Sequence, residues 1–172
     1  MYQKNYTNYY KKPFTPKKAV KHFTDLDVYQ NALEAAVFTV AILDAFYCSI
    51  GGQEQKGTKK SKSDGTVKEY IIKNMSALAL AIPHQIAEAH SKRFGSSDEC
   101  LLILDKVMLG CNKMVVYLDQ ARDICQTGLE LSQFEEQTEK YFFIRRKVLN
   151  LQRVWRKYIN VAKQEQTTEG QR

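Results

Sequence analysis

The sequence predicts an all-α fold, an antiparallel up-down four-helix bundle, and three observations lead to this prediction. Only 8 glycines and 3 prolines occur in 172 residues, so long stretches contain no helix breaker. In these stretches apolar residues recur at steps of three and four, which places them on one face of a helix. Four such stretches of about 25 residues follow one another, and four amphipathic helices of this length form a bundle.

The predicted bundle covers residues 23–163 as one domain, and its helices cover about residues 24–49, 67–94, 98–127 and 133–162. Each helix has an apolar seam, and the seam of the last helix consists of Tyr141, Ile144, Val148, Leu151, Trp155, Tyr158 and Ala162. The second helix contains Pro83, which removes one backbone hydrogen bond and clashes with the preceding turn. We therefore expect a kinked second helix, with the kink near residues 79–83.

Three segments lie outside the predicted helices. Residues 1–22 contain Pro13, Pro16 and six lysines but no acid, which predicts a basic extended arm. Residues 51–66 are rich in glycine, lysine and serine, a composition that predicts a mobile loop. Residues 164–172 are almost entirely polar, and we expect them to form a tail.

Composition and charge exclude several classes of protein. The longest apolar run is far below the ~20 residues that a membrane span requires. No apolar signal core precedes Phe23, so secretion is not supported. We expect a cytoplasmic protein with no membrane partner. Its net charge of +7 favours an acidic partner such as nucleic acid.

The four cysteines do not form a recognisable site. They contain no C-x-x-C pair, and no histidine lies at a ligand spacing from any of them. Free cysteine usually packs as a small apolar residue, which is the role expected for all four. They are Cys48, Cys100, Cys111 and Cys125.

Two further patterns fall short of a catalytic or metal site. His84, Glu88 and His90 lack the E-x-x-H spacing of a bundle di-metal centre. The run from Gly52 to Lys59 resembles a phosphate-binding loop, but its Lys and Thr are in the wrong order and a helix precedes it where the motif requires a strand. We therefore expect a protein that is not an enzyme and that binds no metal or other cofactor.

Positive charge is concentrated on the last helix and in the arm. At about 100° per residue, Arg153 and Lys157 each fall within about 20° of Arg146, roughly opposite the apolar seam. A second basic edge consists of Arg145, Arg156 and Lys163. The arm adds four paired lysines among tyrosines, namely Lys11, Lys12, Lys17 and Lys18.

A charged helix face is most often only a solvated surface, but such a surface usually mixes both signs. A stripe of one sign on a rigid helix, together with a lysine- and tyrosine-rich arm, suits phosphate contact and base stacking. We therefore predict that these residues bind nucleic acid, namely RNA or RNA/DNA. An acidic protein partner and a merely solubilising surface remain the alternatives.

Three segments resemble a known family. Phe23-Thr24-Asp25-Leu26-Asp27-Val28-Tyr29 resembles the F-x-x-L-x-V-[YW] opening of small bacterial proteins encoded in 23S ribosomal RNA intervening sequences. The run from Ile82 to Glu88 is similar to their I-P-x-x-I-A-E signature, and Gly110 resembles the glycine of their third helix. The matching positions of these last two segments are Ile82, Pro83, Ile86, Ala87, Glu88 and Gly110.

The same superfamily includes the accessory variability determinant (Avd) proteins of diversity-generating retroelements. Their last helix ends, as this one does, in a basic segment with a tryptophan, here residues 153–157. The sequence departs from the ribosomal-insertion pattern at Ala89, Cys111 and Met114, where glycine, serine and glutamate are usual. These departures and the strong basicity favour the Avd-like branch.

The resemblance implies a four-helix bundle that assembles as a homopentamer. In the Avd branch, such a protein binds a reverse transcriptase and the template RNA, and catalysis belongs to the transcriptase. In the ribosomal-insertion branch, the alternative is a structural oligomer with no nucleic-acid role. Independently of the resemblance, the third helix is apolar on more than one face, and surplus apolar surface usually marks an interface.

Overall fold

The chain folds into four helices in a computed structural model that describes residues 20–51, 62–94, 97–125 and 129–169. The helices are α1 (Asp27–Gly51), α2 (Lys62–Lys92), α3 (Ser97–Ile124) and α4 (Leu131–Glu169), and a short 3-10 turn at Phe23–Asp25 precedes them. These ranges contain no strand. The predicted all-α four-helix bundle is therefore confirmed.

Each helix packs against two neighbours: α1 and α3 both contact α2 and α4. Contacts between α1 and α4 run in opposite directions along the two helices. The ammonium of Lys147 donates to Asp27 at 2.6 Å, whereas Thr39, twelve residues further along α1, bonds to Tyr141, six residues earlier on α4. The pair is therefore antiparallel, as in an up-down bundle.

The core is one continuous cluster between the four helices. Its largest fully buried apolar side chains come from all four of them and include Phe46, Ile72, Met75, Ile82, Leu104, Leu118 and Ile144. Three polar side chains, Thr39, Gln137 and Tyr141, are also fully buried and hydrogen-bond to one another across the α1–α4 contact. Burial raises the pKa of Tyr141 to about 12, so its hydroxyl stays protonated at neutral pH.

The first two helices begin at positions that differ from the sequence prediction. Helix α1 begins at Asp27 instead of residue 24, because the 3-10 turn occupies the preceding residues, where the carboxylate of Asp25 accepts the N–H of Lys21 and of His22. Helix α2 begins at Lys62, inside the segment that was predicted to be a loop. One interior glycine, here Gly65, costs a helix only about 1 kcal/mol, so it did not end the helix.

Helices α3 and α4 begin within two residues of their predicted starts, but their C-terminal ends differ from the prediction. Helix α3 ends at Ile124, three residues before the predicted end. Helix α4 continues to Glu169, so most of the residues expected to form a polar tail are helical. Polarity alone does not stop a helix, and glutamine and glutamate are good helix formers. The first glycine after this segment is Gly170.

Pro83 directly follows Ile82, and Ile82 packs against Gly110 of α3. Helix α2 continues through Pro83, which is buried. Because proline has no N–H, it cannot bond to the carbonyl of Ala79. A Cβ added to Gly110 would lie 3.3 Å from a side-chain carbon of Ile82, so glycine permits a close approach of the two helices here.

The remaining sequence predictions concern parts of the chain outside these ranges. The arm up to residue 19, residues 52–61 of the predicted loop and the last residues from 170 onwards lie outside the described residues. Within the described part of the chain, no helix combines the length and apolar character needed to cross a bilayer.

Candidate nucleic-acid interface

The predicted basic stripe lies on the open face of α4. Arg146, Arg153 and Lys157 are all exposed. Across the described ranges, no carboxylate lies within 4 Å of any of these three side chains. The guanidinium of Arg146 lies over the ring of Phe143 at 5.5 Å, which fixes its stem against the helix surface. The stripe therefore presents uncompensated positive charge to solvent.

The second predicted basic edge contains two described side chains, Arg145 and Arg156, and they differ in exposure. Arg156 is exposed and, like the stripe, has no carboxylate within 4 Å among the described residues. Arg145 is only half exposed, and its Nε is buried with no hydrogen-bond partner in the described part of the chain. It faces the buried Cys111 of α3, where desolvation raises the pKa of the thiol to about 12 although the charge of Arg145 acts in the opposite direction. Arg145 therefore belongs partly to the α3–α4 contact.

The remaining predicted contact residues cannot be placed. The side chain of Lys163 lies outside the described residues, although its backbone is part of α4. The arm lysines Lys11, Lys12, Lys17 and Lys18 also lie outside the described residues.

Packing on the inner face of α4 fixes the direction of the stripe. Ile144 and Val148 are fully buried, and the half-buried Trp155 packs against the same core. Gln152 is also buried, and its side-chain amide donates to the Leu101 carbonyl at 3.2 Å and to the Asp105 carboxylate at 2.7 Å. These contacts tie α4 to α3, so the opposite face of α4 points to solvent.

The end of α4 extends beyond its neighbour. Gln152 lies beside Leu101, and α3 begins only four residues before that, at Ser97. At about 1.5 Å per residue, α4 therefore has no α3 backbone beside it after roughly residue 156.

On the other side of α4, Lys147 pairs with Asp27, the first residue of α1, and Tyr158 has nearly the same helical phase eleven residues further on. Tyr158, predicted to belong to the buried seam, therefore lies beyond the start of α1 and is 71% exposed. The sequence gives no signal for this exposure, because it depends on where a different helix begins.

Tyr158 is one of three exposed side chains with apolar surface beside the stripe, and sequence reasoning missed all of them. Val154 and Val161 are about half exposed on the same side of α4. An exposed tyrosine next to cationic side chains is suited to stacking on an unpaired base. The signal that could have found Val154 and Val161 is their helical phase, which lies between the seam and the stripe.

We define the basic segment as residues 145–163 of α4, which contain seven Lys and Arg and no acid. Two other lysines of α4, one before the basic segment and one near its start, are paired with carboxylates. Lys140 pairs with Glu136 at 3.1 Å and with Glu34 at 3.9 Å, and Lys147 pairs with Asp27 at 2.6 Å. Most of the basic segment thus differs from the ordinary ion-paired surface around it.

The histidines and cysteines singled out in the sequence differ from one another in exposure and environment. The described residues include no cluster of three or more His, Cys, Asp or Glu side chains that could hold a metal ion. His84 and Glu88 are exposed, whereas His90 is buried. Cys100 and Cys111 are buried, and burial raises the pKa of both thiols, which disfavours the reactive thiolate. What the site offers is electrostatic attraction and aromatic surface.

Comparison with protein-family models, with curated proteins and with solved structures finds no match to this chain. The residues that carry the resemblance nevertheless lie together. Ile82, Pro83 and Ile86 are buried in α2, and Gly110 of α3 contacts Ile82. Glu88 is exposed and pairs with Lys92 at 3.1 Å. Ile82 and Gly110 therefore lie at the α2–α3 contact, and all of these positions lie outside the basic segment.

Proposed function

We propose that this protein is a non-catalytic, oligomeric RNA-binding protein, and that it acts as an Avd-like accessory factor of a reverse transcriptase. The observation that supports RNA binding is the basic segment. Its exposed side chains Arg146, Arg153, Arg156 and Lys157 have no carboxylate within 4 Å among the described residues. Folding does not require such a surface, because self-repulsion between like charges destabilises a folded state.

The geometry favours contact with phosphates over the reading of base sequence. Four cations on about three turns of helix can approach successive phosphates of one strand, whereas no base-reading module is present in the sequence. Tyr158 would add stacking on a base, and the arm lysines would add further phosphate contacts. Binding should therefore depend strongly on salt and weakly on sequence.

A salt-dependent titration of fluorescent single-stranded RNA tests this proposal. The triple variant Arg146→Gln, Arg153→Gln, Lys157→Gln should bind more weakly than wild type, about equally for different sequences. Each phosphate contact on single-stranded RNA contributes about 0.7 to the slope of log affinity against log salt, so the loss of three contacts should lower the slope by about 2. Because the stripe lies opposite the packed face, the fold should survive.

A matched triple variant on α3 and α2 separates the site from net charge. Lys73→Gln, Lys106→Gln, Lys113→Gln removes the same charge from exposed lysines away from α4. It should change the slope much less than the α4 triple. Equal slopes for wild type and both triple variants, with circular dichroism showing that all are folded, would mean that the basic segment is only a solubilising surface.

Self-association is the second part of the proposal, and exposed apolar side chains of α3 support it. Leu102, Leu109 and Val116 repeat every seven residues on the outer face of α3 and are 61%, 53% and 54% exposed. With the family resemblance, this favours a homopentamer. Light scattering at micromolar concentration should give a mass near five times the 19.9 kDa of one chain. A mass of 19.9 kDa would contradict it.

The alternative function is a structural oligomer of the ribosomal-insertion type, without a nucleic-acid role. It predicts the same oligomer but no salt-dependent RNA binding. The genomic neighbourhood separates the two: a reverse-transcriptase gene with paired repeats supports the accessory factor, and a position inside a ribosomal RNA gene supports the alternative.

A further inference from the structure

The outer face of α1 presents apolar side chains that the described residues do not cover. Leu33, Val37 and Val40 recur at steps of four and three and are 46%, 66% and 41% exposed. The opposite face of the helix is already buried against α2 and α4. A surface helix of a bundle needs one apolar face, so this second one, here called the α1 stripe, is surplus and indicates an interface.

The charge beside the α1 stripe is only negative. Residues 23–50 contain four acids and no lysine or arginine. Two of these acids, Glu34 and Asp44, border the stripe and are exposed. Glu34 lies 3.9 Å from Lys140, whereas no Lys or Arg of the described ranges lies within 4 Å of Asp44. A surface that covers the stripe is therefore expected to be both apolar and basic.

The exposed apolar residues of α3 have this chemistry. Lys106 and Lys113 lie beside them, are exposed, and have no carboxylate within 4 Å in the part of the chain that the structure describes. The neighbouring acids of α3 already have partners, since Asp105 accepts a side-chain amide of α4 and Asp119 pairs with Arg122 at 3.1 Å. We call this face the α3 stripe, and its apolar members are Leu102, Leu109 and Val116.

The two stripes lie on opposite sides of the bundle. Helices α1 and α3 each contact α2 and α4, and the described residues contain no contact between the backbones of α1 and α3. The two helices are therefore diagonal to each other, and their outer faces point in opposite directions. Within one chain the stripes cannot meet, but the α1 stripe of one copy can meet the α3 stripe of the next. Such a contact is head-to-tail and uses two different faces of every copy.

We propose that the α1 stripe is the docking surface for the α3 stripe of a second copy of this chain. The inference rests on the self-association proposed above and names the surface against which α3 packs. Burial of the apolar side chains of both stripes stabilises the contact. Opposite charge at its rim selects the partner face, because such charges add specificity more than affinity. Neither stripe includes the basic segment of α4.

Two other partner surfaces fit the α1 stripe less well. Contact between two α1 stripes would bring Glu34 and Asp44 of one copy towards the same acids of the other, and like charges at an interface oppose association. The exposed apolar side chains at the end of α4 lie among cations, but they adjoin the residues proposed to bind RNA, and their use would leave the α3 stripe uncovered. They are Val154, Tyr158 and Val161.

Light scattering of two variants at high micromolar concentration tests the proposal. Val37→Arg places a cation in the α1 stripe and Leu109→Arg places one in the α3 stripe, and both side chains are exposed, so the fold should survive. Each variant alone should give a mass near 19.9 kDa, because each retains only one of the two faces. An equimolar mixture should give a dimer, since the intact α1 stripe of one variant fits the intact α3 stripe of the other.

A matched variant on α2 controls for the loss of an exposed apolar residue. Leu80 is 58% exposed, and the exposed residues Lys73 and His84 share its face of α2. Leu80→Arg should therefore keep the mass of the wild type. Circular dichroism of every variant excludes unfolding as the cause of a low mass.

The outcomes separate this inference from the self-association on which it rests. A monomeric wild type would overturn both. If the wild type is an oligomer and Val37→Arg keeps its full mass, only the α1 docking surface is overturned. Two monomeric variants that form no dimer on mixing would overturn the head-to-tail contact.

Photo-crosslinking identifies the residues that cover the α1 stripe. Ala41 is exposed at the edge of the stripe, and Ala41→p-benzoylphenylalanine is illuminated in oligomers assembled from a mixture of ¹⁵N-labelled and unlabelled chains. We expect crosslinks between chains to residues 102–116 of α3, identified by mass spectrometry. Crosslinks between chains to α1 or to residues 154–161 of α4, or the absence of crosslinks between chains, would overturn the proposal.

Discussion

The two halves of α4 differ in how their polar side chains are used. In the first half, residues 131–144, Gln137 is buried and donates to the Ala35 carbonyl at 2.7 Å and to the Thr39 hydroxyl at 2.6 Å. Lys140 is ion-paired with α1 and with its own helix. In the second half, which begins with the basic segment, the exposed cations Arg153 and Lys157 have no such partner among the described residues.

This difference shows which charges serve the fold. One apolar seam continues along both halves and packs both against the bundle, since Tyr141 and Val148 are equally buried. Packing therefore does not require the outer face to change from mixed to single-signed charge. Surplus charge that contributes nothing to packing is the feature expected of a binding surface.

The largest expected effect concerns two tyrosines of α4 that the seam prediction treated alike. Tyr141 is 1% exposed and Tyr158 is 71% exposed. Tyr141→Ala should lower the free energy of unfolding by about 3–5 kcal/mol, because it leaves a cavity and removes the hydroxyl partner of Thr39. Tyr158→Ala should change it by less than about 0.5 kcal/mol. Urea unfolding at one protein concentration measures both free energies. Similar losses of stability in the two variants would contradict the difference between the two halves of α4.

A smaller effect on the free energy of unfolding is expected at His90. It tests whether the second half of α4 also packs against the bundle. Its ring lies 6.3 Å from that of Trp155, and the Arg93 guanidinium contacts its Nδ1 at 2.7 Å. Burial, the charge of Arg93 and that of His22 lower the pKa of His90 from 6.5 to about 4, although Asp25 acts in the opposite direction.

Since the pKa of His90 is lower in the folded chain than in the unfolded chain, the unfolded chain binds the proton first as pH falls. The stability contributed by neutral His90 is present above pH 6.5 and should be lost as pH decreases towards about 4. His90→Gln should therefore lose less stability than wild type between pH 7 and pH 4 in denaturant titrations. The exposed His84 supplies the control, and His84→Gln should behave as wild type. An unchanged pH dependence in His90→Gln would contradict this role.

The sequence was sufficient to predict the four helices, but not the exposure of every side chain on them. Steps of three and four between apolar residues predicted α1 to α4, because that spacing is required to bury one face of a helix. The exposure of Tyr158 and the half-burial of Arg145 could not be predicted, since the first depends on where α1 begins beside α4 and the second on where α3 lies. Gln137 was missed because a polar side chain is buried only when partners such as Thr39 are placed to satisfy it.

The central claim is that the unpaired cations of α4, and not its ion-paired ones, bind RNA. Two double variants with the same charge change test it most directly: Arg153→Gln with Lys157→Gln, and Lys140→Gln with Lys147→Gln. In anisotropy titrations at several salt concentrations, the first should lower the slope of log affinity against log salt by about 1.4, two contacts at about 0.7 each. The second should leave the slope as in wild type. Equal reductions in both variants, or no reduction in the first, would contradict the account.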